Sequence, residues 1–94
     1  MGQIEIYTKS YCPHCKAAKQ TLAAKGLGFR EFDVTDDQAL LTEMLSRSQR
    51  RTVPQIFVGE VHIGGNQDLM ASIKAGEFDK VLKARGISPK TRSR

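Results

Sequence analysis

Cysteine is scarce in this chain, with two in 94 residues, three positions apart. A disulfide-stapled secreted scaffold is therefore excluded. A bridge between these two cysteines would close so small a loop that it would stabilise the fold little. Long apolar runs are missing as well: no stretch approaches the roughly 18 residues of a membrane span, so no membrane partner is expected. The first residues, Met1 to Thr8, alternate like a strand and carry Glu5. They lack the basic start and apolar run of a secretion signal. Gly2 follows Met1, but Ile6 stands where a myristoylation pattern needs Ser or Thr. There are no internal repeats and no linkers. Together these absences lead to the expectation of one soluble domain in a reducing compartment, the cytoplasm.

The composition is that of a folded domain: 39% hydrophobic and 27% charged residues argue against disorder over the whole length. Fifteen Lys and Arg against ten Asp and Glu give a net charge of +5, which suits an acidic surface or a small anionic substrate. The charge is uneven. Lys90, Arg92 and Arg94 crowd the last residues, and Arg47, Arg50 and Arg51 form a second cluster; setting the three tail charges aside leaves +2. No nucleic-acid reader motif accompanies the charge, so nucleic acid is not expected as a partner. Residues 1–87 read as the domain and 88–94 as a basic, frayed tail.

Along the chain, Ile4 to Tyr7 is short, β-branched and alternating, which predicts a strand. Pro13 suits the first turn of a helix, where its missing N–H is no loss. Cys15, Ala18 and Leu22 then recur at helical spacing, and Gly26 is the expected stop. Phe29 to Val34 predicts a second strand. Thr35 and Gln38 have the spacing of a capping box, with Leu40, Leu41, Met44 and Leu45 on one face of the helix that follows. Gln55 to Val58 and Val61 to Ile63 form a hairpin around Gly59-Glu60. Asn66 is expected to cap a third helix ending at Gly76, and Phe78, Val81 and Leu82 make a last short helix, stopped by Gly86. The order βαβα then ββα predicts an α/β fold, a four-stranded mixed sheet flanked by helices, whose first two strands are parallel.

Cys12-Pro13-His14-Cys15 is the most informative stretch. A Cys-x-x-Cys pair at the start of a helix, near a βαβ pattern, reads as a redox pair. Two intervening residues let the sulfurs reach one another, so a mixed disulfide on Cys12 can be resolved by Cys15. Cys12 sits at the helix N-terminus, where unpaired N–H groups and the helix dipole favour a thiolate, the attacking form. Lys9 and Lys16 add positive charge. Cys15, one turn in, faces the core side with Ala18. A zinc site is the competing reading, with His14 and His62 as further ligands. His14 lies inside the Cys-x-x-Cys turn, however, and there is no second such pair, so no metal is expected.

These residues resemble the glutaredoxin family, of the dithiol type. The matching pieces are Ile6-Tyr7-Thr8-Lys9, Cys12-Pro13-x-Cys15, Thr52-Val53-Pro54-Gln55-Ile56-Phe57, and His62-Ile63-Gly64-Gly65 with Asp68-Leu69. Their order and spacing agree from about Gln3 to Leu82. The resemblance implies a thioredoxin-like fold, glutathione as co-substrate and reductant, and Pro54 as a cis proline. The backbone of Val53, just before that proline, is then expected to pair with the glutathione peptide as a short added strand. Gly65, Asn66, Gln67 and Asp68 open the third helix, whose N–H groups can take the γ-glutamyl carboxylate. Lys9 and one of Arg50 or Arg51 are candidates for the glycyl carboxylate, with Arg51 taken into the expected site beside Thr52. Two positions depart from the family's common pattern. His14 replaces a Tyr, adding a group that can carry charge near neutrality. Gln67 replaces an acid, which removes one contact to the γ-glutamyl ammonium.

The expected activity is that of a glutathione-dependent disulfide oxidoreductase. Cys12 attacks protein disulfides and protein–glutathione mixed disulfides, and Cys15 resolves them. The expected partners are glutathione, disulfide or glutathionylated proteins and, indirectly, glutathione reductase, with the chain acting as a monomer. By resemblance, reductases that need a dithiol donor, ribonucleotide reductase among them, come into consideration as substrates. Two rival readings keep the fold. One is a glutaredoxin-like protein reduced by thioredoxin reductase; the other is an iron–sulfur carrier with Cys12 and glutathione as ligands.

Overall fold

The two central strands of the sheet are buried along nearly their whole length, and the helices are arranged to cover them. A computed structural model describes residues 3–87. The elements in chain order are β1 (Ile4–Thr8), α1 (Pro13–Ala24), β2 (Arg30–Asp33), α2 (Gln38–Ser48), β3 (Gln55–Val58), β4 (Val61–Gly64), α3 (Asn66–Ala75) and α4 (Glu77–Ala84). The sheet order is β2-β1-β3-β4. β1 runs parallel to β2 and antiparallel to β3, and β4 is antiparallel to β3. This is the four-stranded mixed sheet with flanking helices that the sequence predicts. The tail expected over residues 88–94 lies outside the described residues.

Alternation along β1 and β3 sorts the core into two layers. Ile4, Ile6, Ile56 and Val58 face Ala18 and Leu22 of α1, Leu69 of α3 and Phe78 and Leu82 of α4. Tyr7 and Phe57 point the other way and pack with Val34 and Met44 under α2. Burial of side chains of this size stabilises the fold by about 1.5–3 kcal/mol each. The Tyr7 face also carries a polar lock. Arg47 donates to Glu5 Oε1 at 2.9 Å, to Tyr7 Oη at 2.8 Å and to the Gly59 carbonyl at 3.2 Å. Its guanidinium lies 4.0 Å from the Phe57 ring centre. The Tyr7 hydroxyl donates to Glu43, and burial followed by that carboxylate raises the Tyr7 pKa to about 12.

Two helix starts differ from expectation. The N-cap of α2 is Asp37, whose carboxylate accepts from the Leu40 N–H at 3.0 Å. Thr35 does not cap it, because its hydroxyl accepts from the Ser10 N–H at 3.0 Å instead. The N-cap of α3 is Gly65, not Asn66. Here the Asp68 carboxylate reaches back to accept from the Gly65 N–H at 2.9 Å. Gly64 makes that possible. Its φ of 115° is unfavourable for other residues, and an added Cβ would collide with the Asp68 carboxylate.

Candidate active site

Cys12 is the N-cap of α1, with extended backbone and Pro13 directly after it. Its sulfur accepts from the Cys15 N–H at 3.2 Å, taking the role that a Ser or Asp side chain plays at other helix starts. Negative charge on this sulfur meets the positive end of α1, and the first turn holds no acidic residue to oppose it. Cys12 is part-exposed, whereas Cys15 is 1% exposed. Burial, and then its hydrogen bond to the Cys12 sulfur, push the Cys15 thiol up to about 12. The pair is thus asymmetric, with one sulfur open to attack a substrate and the other held protonated beneath it.

A cleft of about 320 Å³ adjoins this pair. His14 of α1 lines it together with Thr52, Val53 and Pro54 from the loop before β3. The start of α3 contributes Gly65, Asn66, Gln67 and Asp68. The Val53–Pro54 peptide is cis, as the resemblance implies. The Val53 carbonyl lies 3.8 Å from the Cys12 sulfur, and among the described residues the Val53 N–H makes no hydrogen bond. The Asn66 Oδ1 is buried and also has no hydrogen-bond partner among the described residues. Asp68 accepts from the Gly65 N–H and, at 2.9 Å, from Arg50; these two, in that order, hold its carboxyl below the usual range.

Two residues of the expected glutathione site do not line this cleft. Arg51 is exposed, and it is Arg50 that reaches the rim through Asp68. Lys9 lines a second cleft, of about 460 Å³, whose wall includes Cys12 and, beneath the surface, Cys15. Among the described residues, no group of three or more His, Cys, Asp or Glu side chains is placed to hold a metal ion.

Sequence reasoning passed over the pair that supports Thr52. Gln55 is fully buried, and its side-chain amide donates to the Thr52 carbonyl at 3.0 Å and to the Thr52 hydroxyl at 3.1 Å. That leaves Gln55 Oε1 to accept from His62 Nε2 at 2.7 Å. The His62 ring in turn stacks on Phe57, with centroids 4.8 Å apart. Burial, followed by the nearby charge of Arg50, lowers the His62 pKa. The signal in the sequence is a glutamine in an otherwise apolar strand, two residues from Phe57, the hairpin partner of His62.

Comparison with known proteins agrees with this geometry. The glutaredoxin family model matches residues 4–63. Glutaredoxin 3 of Escherichia coli K12 is 47% identical over 83 residues, covering 88% of this chain and all of that protein. A glutaredoxin of Pseudomonas aeruginosa is 42% identical over 84 residues, covering 89% of this chain and all of its own length. Among solved structures, the buckwheat glutaredoxin–glutathione complex superposes with a TM-score of 0.81 at 25% identity, over 93% of this chain and 83% of that one. The solution structure of the Brucella melitensis glutaredoxin gives 0.76 at 47% identity, over 88% and 90%.

Proposed function

Because the chain belongs to the glutaredoxin family, the chemistry of Cys12 and Cys15 is thiol–disulfide exchange, and we propose that glutathione is the thiol that drives it. The Cys12 thiolate attacks one sulfur of a substrate disulfide. A bond forms to that sulfur, the substrate S–S bond breaks, and the departing sulfur leaves as a thiolate that takes up a proton. With a glutathionylated protein, the glutathione half stays on Cys12 and the protein thiol leaves. A second glutathione thiolate then attacks that mixed disulfide, releasing oxidised glutathione and restoring Cys12. With a protein disulfide, Cys15 loses its proton and attacks the Cys12 sulfur. The Cys12–Cys15 disulfide forms as the bond from Cys12 to the substrate breaks and frees the second substrate thiol; two glutathione molecules then reduce the pair and leave as oxidised glutathione.

The observation that carries this reading is the cleft beside Cys12. One peptide backbone edge, at Val53, lies next to the sulfur, and one helix start, at Gly65, lies further along. A tripeptide attached through its central cysteine can lie along Val53 as an added strand. Its γ-glutamyl carboxylate then meets the N–H groups that open α3. Its ammonium group meets Asp68 and the buried Asn66 Oδ1, an acceptor that compensates for the acid replaced by Gln67. The glycyl carboxylate falls to Lys9, Arg50 or Arg51. A reducing compartment, the cytoplasm, suits a cycle that must return to the dithiol.

The test is the adduct itself. Cys15→Ser protein treated with oxidised glutathione is expected to carry one glutathionyl group, on Cys12. Amide NMR signals of Val53, Gly65 and Asp68 are expected to move with it. Shifts confined to Cys12 and its immediate neighbours would contradict the reading.

A further inference from the structure

Cys12 meets the first cleft through the Val53 carbonyl and itself lines a second one, which the glutathione reading leaves unassigned. The second is the larger, at about 460 Å³ against about 320 Å³. Its chemistry is one-sided. Lys9, Lys16 and Lys19 line it and, among the described residues, no carboxylate does. Lys19 is part-neutralised by Glu31 at 2.9 Å, which leaves Lys9 and Lys16 to define its charge. Tyr11, one residue before Cys12, stands at this cleft with 72% of its surface exposed. An exposed tyrosine on a cleft that lysines also line is a surface that folding alone does not call for; aromatic side chains are enriched where a partner binds.

Thiol–disulfide exchange explains why a second surface is needed. The attacking, central and leaving sulfurs lie close to a line in the transition state, so the two halves of the substrate extend in different directions from Cys12. The half retained on Cys12 and the half that leaves cannot share one cleft.

We propose that the Tyr11–Lys16 side of this cleft docks the protein half of the substrate and selects acidic segments beside the target cysteine. In assigning the first cleft to the other half, this rests on the glutathione reading. The choice of an acidic partner rests on the charge of the second cleft. Carboxylates flanking the substrate cysteine meet Lys16, and Tyr11 covers the adjoining backbone. Because Lys16 is exposed, its contribution lies mainly in the rate of encounter and falls with salt.

The experiment uses two peptides of equal length, each with one internal disulfide, flanked by Asp and Glu in one and by Lys in the other. Reduced protein is mixed with each in the absence of glutathione, and the second-order rate of Cys12 oxidation is measured. Failure of the glutathione reading would therefore leave the result untouched. A small neutral disulfide reports the intrinsic reactivity of Cys12. The acidic peptide is expected to react about tenfold faster than the basic one at low salt, with the gap closing as salt rises. In Lys16→Glu, which places an acid in the first turn of α1, where it suits the helix, that ratio is expected to collapse towards one or invert. Tyr11→Ala is expected to slow both peptides and leave the small disulfide unchanged. The basic tail is the same in every variant, so it cannot produce a difference between them. A wild-type ratio near one, or a ratio unchanged in Lys16→Glu, would overturn the proposal.

Discussion

The sulfur of Cys12 lies 3.8 Å from the carbonyl oxygen of Val53, 41 residues further along the chain. This contact joins two short motifs into one site. α1 presents the sulfur at its N-terminus, and the loop before β3 presents a backbone edge beside it. Neither motif alone defines a reaction. Together they give a nucleophile and a strand-like surface on which a peptide thiol can be held.

The two cysteines are expected to be unequal in function. Cys12→Ser abolishes both disulfide reduction and deglutathionylation, because no other sulfur is exposed at the site. Cys15→Ser loses reduction of protein disulfides but keeps deglutathionylation, which needs only Cys12 and glutathione. Steady-state assays on the two substrate classes check this. Loss of both activities in Cys15→Ser would contradict the assigned roles.

Asp68 links site and stability through pH. Its carboxyl is held low by the Gly65 N–H and then by Arg50. A lowered carboxyl favours the folded state above its unfolded value of about 4, and that contribution is lost as pH falls through the lowered value. Asp68→Asn is therefore expected to flatten the loss of stability below about pH 4, read from urea melts at pH 7 and pH 3. Arg50→Ala removes only an exposed ion pair and costs about 0.2–1 kcal/mol at pH 7.

Gln55 and His62 act on the site through Thr52, without touching the cysteines. His62→Phe keeps a ring to stack on Phe57 but removes the donor to Gln55 Oε1. One lost hydrogen bond of about 0.5–1.5 kcal/mol corresponds to a rise in the glutathione KM of roughly twofold to tenfold. The turnover number is expected to change less. His62→Gln, which can still donate, is expected to restore part of the loss. A fall in turnover with unchanged KM would argue against a positioning role.

Arg47 is the clearest stability prediction away from the cysteines. Arg47→Ala leaves the half-buried Glu5 carboxylate without its cation and strips the cover from Phe57. The expected cost is about 2–3 kcal/mol, read as a drop in Tm of roughly 10–20 °C by circular dichroism.

Much of this architecture was legible in the sequence. Ile4 to Tyr7, the Cys12–Cys15 helix start and the Gly59-Glu60 hairpin are local patterns, and local chemistry decides them. The two displaced caps show where locality ends. Thr35 and Asp37 are both good caps, and the choice between them rests on Ser10, 25 residues away in sequence. Asn66 yields its place to Gly65 because the Asp68 side chain folds back over a glycine. The support of Thr52 by Gln55 and His62 depends on a hairpin bringing two strands into register, and no short motif encodes it. The separation of Lys9 from the Thr52–Asp68 cleft is likewise a matter of which side of Cys12 the chain passes.

The most direct measurement is turnover of a glutathionylated peptide under two electron supplies. One is glutathione with glutathione reductase and NADPH; the other is thioredoxin reductase with NADPH and no glutathione. The account predicts fast turnover with glutathione and none with thioredoxin reductase alone. Turnover with thioredoxin reductase alone would keep the fold and the Cys12 chemistry. It would contradict the assignment of Thr52, Val53, Gly65 and Asp68 to glutathione.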